Sequence, residues 1–491
     1  MHSPAIYRGA VECSHAHSTI HERLKPNRGV LANNFDVVIL GAGSGGYAAA
    51  LRAAQLGKSV ALIEQDLLGG TCLHRGCIPT KALLHSGEIA DSVRESHDFG
   101  IKADLIDVDM TGVNSYKDSV VAKLYKGLQG LVKHRGITYV TGRGKFIAPN
   151  QVQVGGETYV GKSVVLATGS YPKSIPGLEV DGKVVITSEQ AINLNYVPSH
   201  VIVLGGGVIG VEFASVWRSL GAEVTVIEGE PRLIPTEDEA SSKGLERAYR
   251  KRGIKMLLGV TAKKVDSGSK KNDQWVEVEL SNGEKVKGDL LLVAVGRGAA
   301  TTDQGFSESG LEMEGPLVKV TDRQQTNLPN VYAVGDIVRG PQLAHKGFAE
   351  GVFVAEQIAG LNPTPIDMAS IPRVTYCEPE VASVGLTEAQ AKAKFGDGVK
   401  AITYDLAGNG KSQILKTAGF VKLVAAPSGA IVGVHILGSR AGELLAEGQL
   451  LYSWQATADD VAPLVHAHPT MSESMGEAAM ALAGKPLHAH G

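Results

Sequence analysis

FDVVILGAGSGG, residues 35–46, reads as a buried strand running straight into a glycine turn. Val37, Val38 and Ile39 are β-branched and apolar, the composition of a strand covered on both faces. Gly41, Gly43 and Gly46 follow in G-x-G-x-x-G spacing. Gly41 permits the tight turn, Gly43 lets a pyrophosphate approach the backbone, and Gly46 lets helix and strand pack closely. GYAAALRAAQLG then continues as a helix, and the free N–H groups at its start are donors for phosphate. SVALIE supplies a second strand ending at Glu64, an acid placed to accept hydrogen bonds from ribose hydroxyls.

The unit recurs. VIVLGGGVIG places Gly205, Gly207 and Gly210 after another strand, and EVTVIE ends on Glu228 after the same interval that separates Glu64 from Gly41. One such glycine pattern is a weak signal. Two copies, each in a complete strand–turn–helix–strand–acid setting, predict two dinucleotide sites. SVVLATGS (163–170), DLLLVAVGR (289–297) and NVYAVGD (330–336) read as further buried strands breaking at glycine. At the end of the last, Asp336 can bond a cofactor hydroxyl or cap a following helix, and the spacing does not choose between them.

The 491 residues exceed what one hydrophobic core sustains, so about two to four domains are expected. A hydrophobic share of 43% and a charged share of 20% are those of a globular protein. Net charge of −3 sets up no field for nucleic acid or an anionic membrane, and no apolar run has the length of a spanning helix. Neither is expected as a partner. Residues 1–34 carry His2, His15, His17 and His21 without hydrophobic periodicity or an apolar core of a secretory signal, and are expected to be a disordered extension.

GGTCLHRGCIPTK, residues 69–81, holds Cys72 and Cys77, two of only four cysteines; Cys13 and Cys377 stand alone. So few cysteines exclude a secreted disulfide scaffold and point to a reducing, cytoplasmic setting. On a regular helix, positions i and i+5 are roughly 8–9 Å apart, beyond disulfide reach. A bonded pair therefore requires the helix to break or begin there. Gly76 makes a break cheap and Pro79 suits a first turn. A zinc site would want a second ligand pair, which the chain lacks, so no metal is expected. A thiol at a helix start has its anion favoured, as a redox pair needs.

These motifs together resemble the flavin-dependent disulfide reductases, and within them the dihydrolipoyl dehydrogenases, the E3 components of 2-oxo-acid dehydrogenase complexes. The resemblance covers about residues 35–485. It rests on both nucleotide units, the cysteine pair, ATGS at 167–170, AVGD at 333–336 and HAHPTMSE at 466–473. It implies an α/β fold with two Rossmann-like dinucleotide-binding domains plus a C-terminal α+β dimerisation domain. The implied domains are an FAD-binding domain at 35–186, an NAD-binding domain at 187–302, a central segment at 303–368 completing the first, and a dimerisation domain at 369–491.

It also implies oxidation of protein-bound dihydrolipoamide with reduction of NAD, through a Cys72–Cys77 disulfide, FAD, and an acid/base dyad of His468 and Glu473. In this reading His466 is structural and the His468–Pro469 bond is a candidate cis peptide. Lys81 and Glu212 would pair near the flavin. Gly144, Thr168, Gly169, Ser170, Gly296, Asp336, Leu343, Ala344 and His345 would contact cofactor. The implied partners are a second copy, whose His468 would reach the cysteines, and lipoyl domains. Glu228, where NADP-binding relatives carry arginine, favours NAD, with Arg232 close by as the one dissenting charge. Two other classes compete: an NADPH-dependent reductase of another small disulfide, and a flavoprotein scaffold without catalysis. Glu228 opposes the first; the intact cysteine pair and HPT segment oppose the second.

Overall fold

The computed structural model describes residues 33–270 and 273–488. The expected N-terminal extension and Cys13 therefore lie outside the described residues, except that Asn33 and Asn34 already belong to the first strand. β1 (Asn33–Leu40), α1 (Ser44–Gln55) and β2 (Val60–Glu64) form the first parallel βαβ unit. Alternation along the strands explains why they are apolar throughout. Val37, Ile39 and Leu62 face a core shared with Ala49 and Ala53 of α1. Val38, Leu40, Ala61 and Ile63 face a second core with Phe146 and Val152 on the opposite side of the sheet.

Two helices follow, α2 (Gly70–His74) and α3 (Cys77–Arg94), and then the long α4 (Met110–His134). β3 (Thr138–Thr141), β4 (Gly144–Ala148), β5 (Gln151–Val154) and β6 (Glu157–Leu166) complete a sheet of order β3-β2-β1-β6-β5-β4. Residues Val331–Ala333 return from far along the chain to pair with β6 in parallel.

The chain leaves this layer through β7 (Ser170–Pro172) and returns through Arg297–Ala299, and the two segments pair antiparallel. Between them lie β8 (Val185–Ile186), α5 (Ser188–Ala191), β9 (His200–Leu204), α6 (Val208–Leu220) and β10 (Glu223–Glu228). β8 pairs with Leu290–Val293 inside the second parallel sheet. The boundary read at 186/187 therefore falls too late, because a two-residue strand gives no periodic signal of which sheet it joins. The second unit repeats the first: Val201, Val203, Val224 and Val226 face one core, Ile202, Leu204 and Ile227 the other.

The C-terminal region is an antiparallel five-stranded sheet, ordered Arg373–Thr375, Glu380–Gly385, Ile431–Gly438, Phe420–Ala425, Lys400–Asp405. A hairpin turning at Pro427–Gly429 joins the fourth and third of these, and a helix follows at Ala441–Ser453. Among the described residues no helix is long and apolar enough to cross a membrane.

Candidate active site

The two glycine loops are near copies. Gly41 has φ 101° and Gly205 φ 111°, turns that only glycine makes without strain. A Cβ on Gly46 would stand 1.8 Å from the Gly41 carbonyl oxygen, and one on Gly210 1.8 Å from that of Gly205. At Gly43 and Gly207 the opposite holds, since a Cβ there would meet nothing within 4 Å. That is open space above the N-termini of α1 and α6, neither of which carries a side-chain cap. The acid at each strand end secures its loop: Glu64 accepts from the Ala42 N–H at 2.7 Å, and Glu228 from the Gly206 N–H. Burial raises the Glu64 carboxyl above its ordinary value, against the lowering effect of that N–H. Free donors, a cleared approach and an acid at ribose distance fit a dinucleotide at both loops.

Beyond β2 the helix breaks where a bonded cysteine pair would require it. Cys72 lies in α2, which ends at His74; Gly76 caps α3, whose first residue is Cys77. In the dithiol form the two lie side by side, the Cys72 thiol hydrogen-bonding the Cys77 sulfur. That donation, with Lys81 nearby, brings the Cys77 thiol down to about 7 despite its burial. Donating to Cys77 and being buried beside its charge push the Cys72 thiol far up, against the pull of Lys81 and of the Ser44 hydroxyl. A lowered value favours the anion, so Cys77 thiolate grows as pH rises through about 7 and disappears below it, while Cys72 stays protonated. In the reduced protein, ultraviolet thiolate absorbance is expected to show one thiolate with that midpoint, lost in Cys77→Ser.

One turn along α3, Lys81 Nζ lies 2.9 and 2.8 Å from the two carboxylate oxygens of Glu212 in α6. Glu212 is only 3% exposed and also accepts from the Tyr376 N–H at 3.0 Å. Burial opposes the charge on Lys81, but the Glu212 carboxylate outweighs it and raises its value. The ammonium further sits 4.7 Å from the centre of the Tyr376 ring. This knot joins the cysteine helix, the second dinucleotide helix and the C-terminal region. Glu212→Ala would strand a cation and an N–H, and should lower unfolding stability by about 3 kcal/mol. Chemical denaturation tests this, with Glu212→Gln expected to lose less.

Ser170 and Asp336 meet as well. The Ser170 hydroxyl donates to the Asp336 carboxylate and accepts from Arg297 Nε at 2.7 Å, while Arg297 Nη2 donates to the Ser170 carbonyl at 2.8 Å. Asp336 sits in a short 3₁₀ turn, Gly335–Ile337, and caps no helix. The following helix, Ala344–Ile358, begins instead after Leu343 with no side-chain cap, and His345 Nε2 lies 2.7 Å from the Pro372 carbonyl. Thr168 donates to the Ala300 carbonyl at 2.7 Å. Gly169 and Gly296 have φ 77° and 106°, each with open space where a Cβ would project. Gly144 is different: a Cβ there would strike Leu40 at 2.5 Å, so its smallness serves sheet packing.

Several participants escaped the sequence reading. Ser44, Arg297 and Tyr376 carry no local motif of their own. Lys346 and Glu350, buried at 1% and 0% exposure, brace the Asp336 turn, Lys346 donating to the Gly335 carbonyl and Glu350 accepting from the Gly335 N–H. Their i,i+4 spacing on one helix was the available signal, but it usually marks a solvated pair.

His468 stands apart from the cysteines in sequence and faces outward, its side chain 76% exposed. Its Nδ1 lies 2.8 Å from Glu473, which opens the helix Glu473–Leu482 and accepts from the Thr470 N–H at 2.8 Å. Burial works against the Glu473 charge, but the Thr470 N–H and His468 together hold its carboxyl below the usual range. Asn409 Nδ2 donates to the Thr470 carbonyl at 3.0 Å, and the His468–Pro469 bond is cis. His466 is engaged elsewhere, its Nε2 2.9 Å from Glu447.

Two dinucleotide cradles flanking a thiol pair define an oxidoreductase that exchanges electrons between nucleotide cofactors and a dithiol. The pyridine nucleotide-disulphide oxidoreductase family model matches residues 35–351, and the dimerisation-domain model of the same family matches residues 371–479. The chain belongs to that family. It is 40% identical to a dihydrolipoyl dehydrogenase of Bacillus subtilis, covering 93% of this chain and all of that protein. To dihydrolipoyl dehydrogenase 1, mitochondrial, of Arabidopsis thaliana it is 42% identical over 92% of this chain and 91% of that one. A leghemoglobin reductase of Vigna unguiculata is 40% identical over 93% and 88%. The crystal structure of LpdA from Mycobacterium tuberculosis superposes with a TM-score of 0.84 at 25% identity, covering 92% of this chain and all of that one. FAD and NAD are the family's cofactors, and both loops fit them.

Proposed function

We propose that this chain oxidises dihydrolipoyl groups to the cyclic disulfide while reducing NAD+. It works as a homodimer on lipoyl domains of 2-oxo-acid dehydrogenase complexes, in a cytoplasmic setting. The observation that carries the reading is the Cys72–Cys77 pair at the start of α3, between the first glycine loop and the Lys81–Glu212 knot. The domain plan is an FAD-binding part from residue 35 to the crossing at Ser170–Pro172, an NAD-binding part from there to 302, a segment at 303–368 that completes the first, and a dimerisation part at 369–491.

In the oxidised enzyme a substrate thiolate attacks the Cys72 sulfur, the Cys72–Cys77 bond breaks, and Cys77 leaves as the thiolate its surroundings favour. His468 of the partner subunit takes the proton from the second substrate thiol, which then attacks the mixed disulfide and releases Cys72. Glu473 holds that imidazole by Nδ1, leaving Nε2 to work. The exposure of His468 on its own chain supports delivery across an interface. FAD and NAD, when bound, would take up the electron pair that the dithiol gives on closing to the disulfide, NAD+ receiving it as hydride. Glu64, Gly144, Thr168, Gly169, Ser170, Gly296, Asp336 and the Leu343–His345 turn would hold FAD, and Glu228 would hold the ribose of NAD. Arg232 supports this nucleotide choice, because its guanidinium turns back onto the Pro235 carbonyl at 2.6 Å and the Ser242 hydroxyl at 3.3 Å.

The test compares NAD+ and NADP+ as acceptors from dihydrolipoamide with NADPH oxidation by glutathione disulfide. Turnover with NAD+ and dihydrolipoamide alone is expected. Preferred NADPH oxidation by glutathione disulfide would replace the reading with a sibling reductase.

A further inference from the structure

Ile234 is a β-branched residue, 1% exposed, held at φ 41°. In that region a branched side chain crowds its own backbone, so the surrounding contacts must impose it. They are visible at both ends. Towards the second glycine loop, the Ile234 N–H donates to the Gly206 carbonyl at 2.9 Å. Leu233 packs so closely there that a Cβ on Gly206 would be 2.6 Å from its Cδ2. In the other direction the Ile234 carbonyl accepts from the Glu237 N–H at 2.9 Å, closing a turn onto two buried acids.

Those acids are fixed by the C-terminal sheet. Glu237 accepts from Arg373 Nε at 2.9 Å and from the Ser383 hydroxyl, and Arg373 and Ser383 are opposite one another on adjacent strands. Asp238 accepts from Lys422 Nζ at 2.8 Å and from the Glu388 N–H at 3.0 Å. One short turn thus spans from the glycine loop to the dimerisation sheet.

We propose that this turn is a strut that sets the second glycine loop from the C-terminal sheet, and that Glu237 and Arg373 are positioning residues for NAD binding. They act through Gly206, whose N–H also holds Glu228. The inference rests on the reading that this loop holds NAD.

The experiment is equilibrium binding of NAD+ to the FAD-loaded dimer, alongside single-turnover reduction by dihydrolipoamide without nucleotide, and melting. Glu237→Gln keeps the size and a carbonyl acceptor but removes the charge facing Arg373. Its Kd for NAD+ should rise roughly five- to twentyfold, with dihydrolipoamide reduction unchanged. Arg373→Gln should match it, and the double variant should be no worse than either single, as expected of residues acting through one contact. Ser383→Ala, a milder change, should shift Kd in the same direction by roughly two- to threefold. A lower melting temperature with NAD+ affinity unchanged in these variants would overturn the strut and leave the turn a packing feature. A wild-type enzyme that binds no NAD+ would overturn the nucleotide assignment, and the strut with it.

Discussion

Cys72→Ser is expected to abolish turnover with dihydrolipoamide, lowering kcat by roughly 10³-fold or more. NADH-driven reduction of a small quinone, which needs no dithiol, should persist. The asymmetry follows from the site. In the proposed mechanism the substrate attacks the Cys72 sulfur, and serine cannot form the mixed disulfide. Cys77 remains at the first residue of α3 near Lys81, so its thiolate survives the substitution. Serine keeps an O–H donor at position 72, so the hydrogen bond that lowers Cys77 is retained. Cys77→Ser should be equally inactive with dihydrolipoamide but show no such thiolate. Full dihydrolipoamide turnover in either variant would remove the dithiol from the mechanism.

His468→Gln is expected to cost roughly 10²- to 10⁴-fold in dihydrolipoamide turnover, the span over which a positioned general base acts. Glutamine can still bond Glu473 but cannot take a proton. On its own chain the side chain is 76% exposed, so folding of that chain should change by less than about 0.5 kcal/mol, and any loss of the contact with the partner should show in dimer dissociation instead. Glu473→Gln should lose less activity, because the carboxylate orients the imidazole and stabilises its charged form while remaining outside the proton transfer itself. A mixed dimer is informative here. Pairing a Cys72→Ser chain with a His468→Gln chain leaves one of two sites intact if His468 acts across the interface, and none if it acts within its own chain.

How much of this could be read from residues alone depended on distance along the chain. Both glycine loops were legible because every contact that constrains them is local: Gly46 is excluded from carrying a Cβ by Gly41, five residues away, and Gly210 by Gly205 in the same manner. The break between Cys72 and Cys77 followed from helix arithmetic and Gly76. His468 and Glu473 were legible only through the family resemblance, since a histidine five residues from an acid is commonplace. Most contacts between distant residues left no trace. Arg297 reaches Ser170, Glu237 reaches Arg373, and Glu212 reaches Tyr376 because separate layers dock, and only the Lys81–Glu212 pair was implied by the resemblance. Asp336 was ambiguous because its neighbours suit a helix cap equally well. The outcome turned on the helix starting only after Leu343, which left the carboxylate free to meet Ser170. The positive φ at Ile234 ran against its residue type, so propensity pointed away from it.

The central claim, that Cys72 and Cys77 cycle between disulfide and dithiol under the control of substrate and nucleotide, is tested most directly by differential alkylation with mass spectrometry under anaerobic conditions. The purified enzyme should yield a linked peptide pair and no label at either position. One equivalent of dihydrolipoamide should open both positions to label, and NAD+ added before the alkylating agent should close them again. Labelling that ignores dihydrolipoamide, or that NAD+ fails to reverse, would contradict the account.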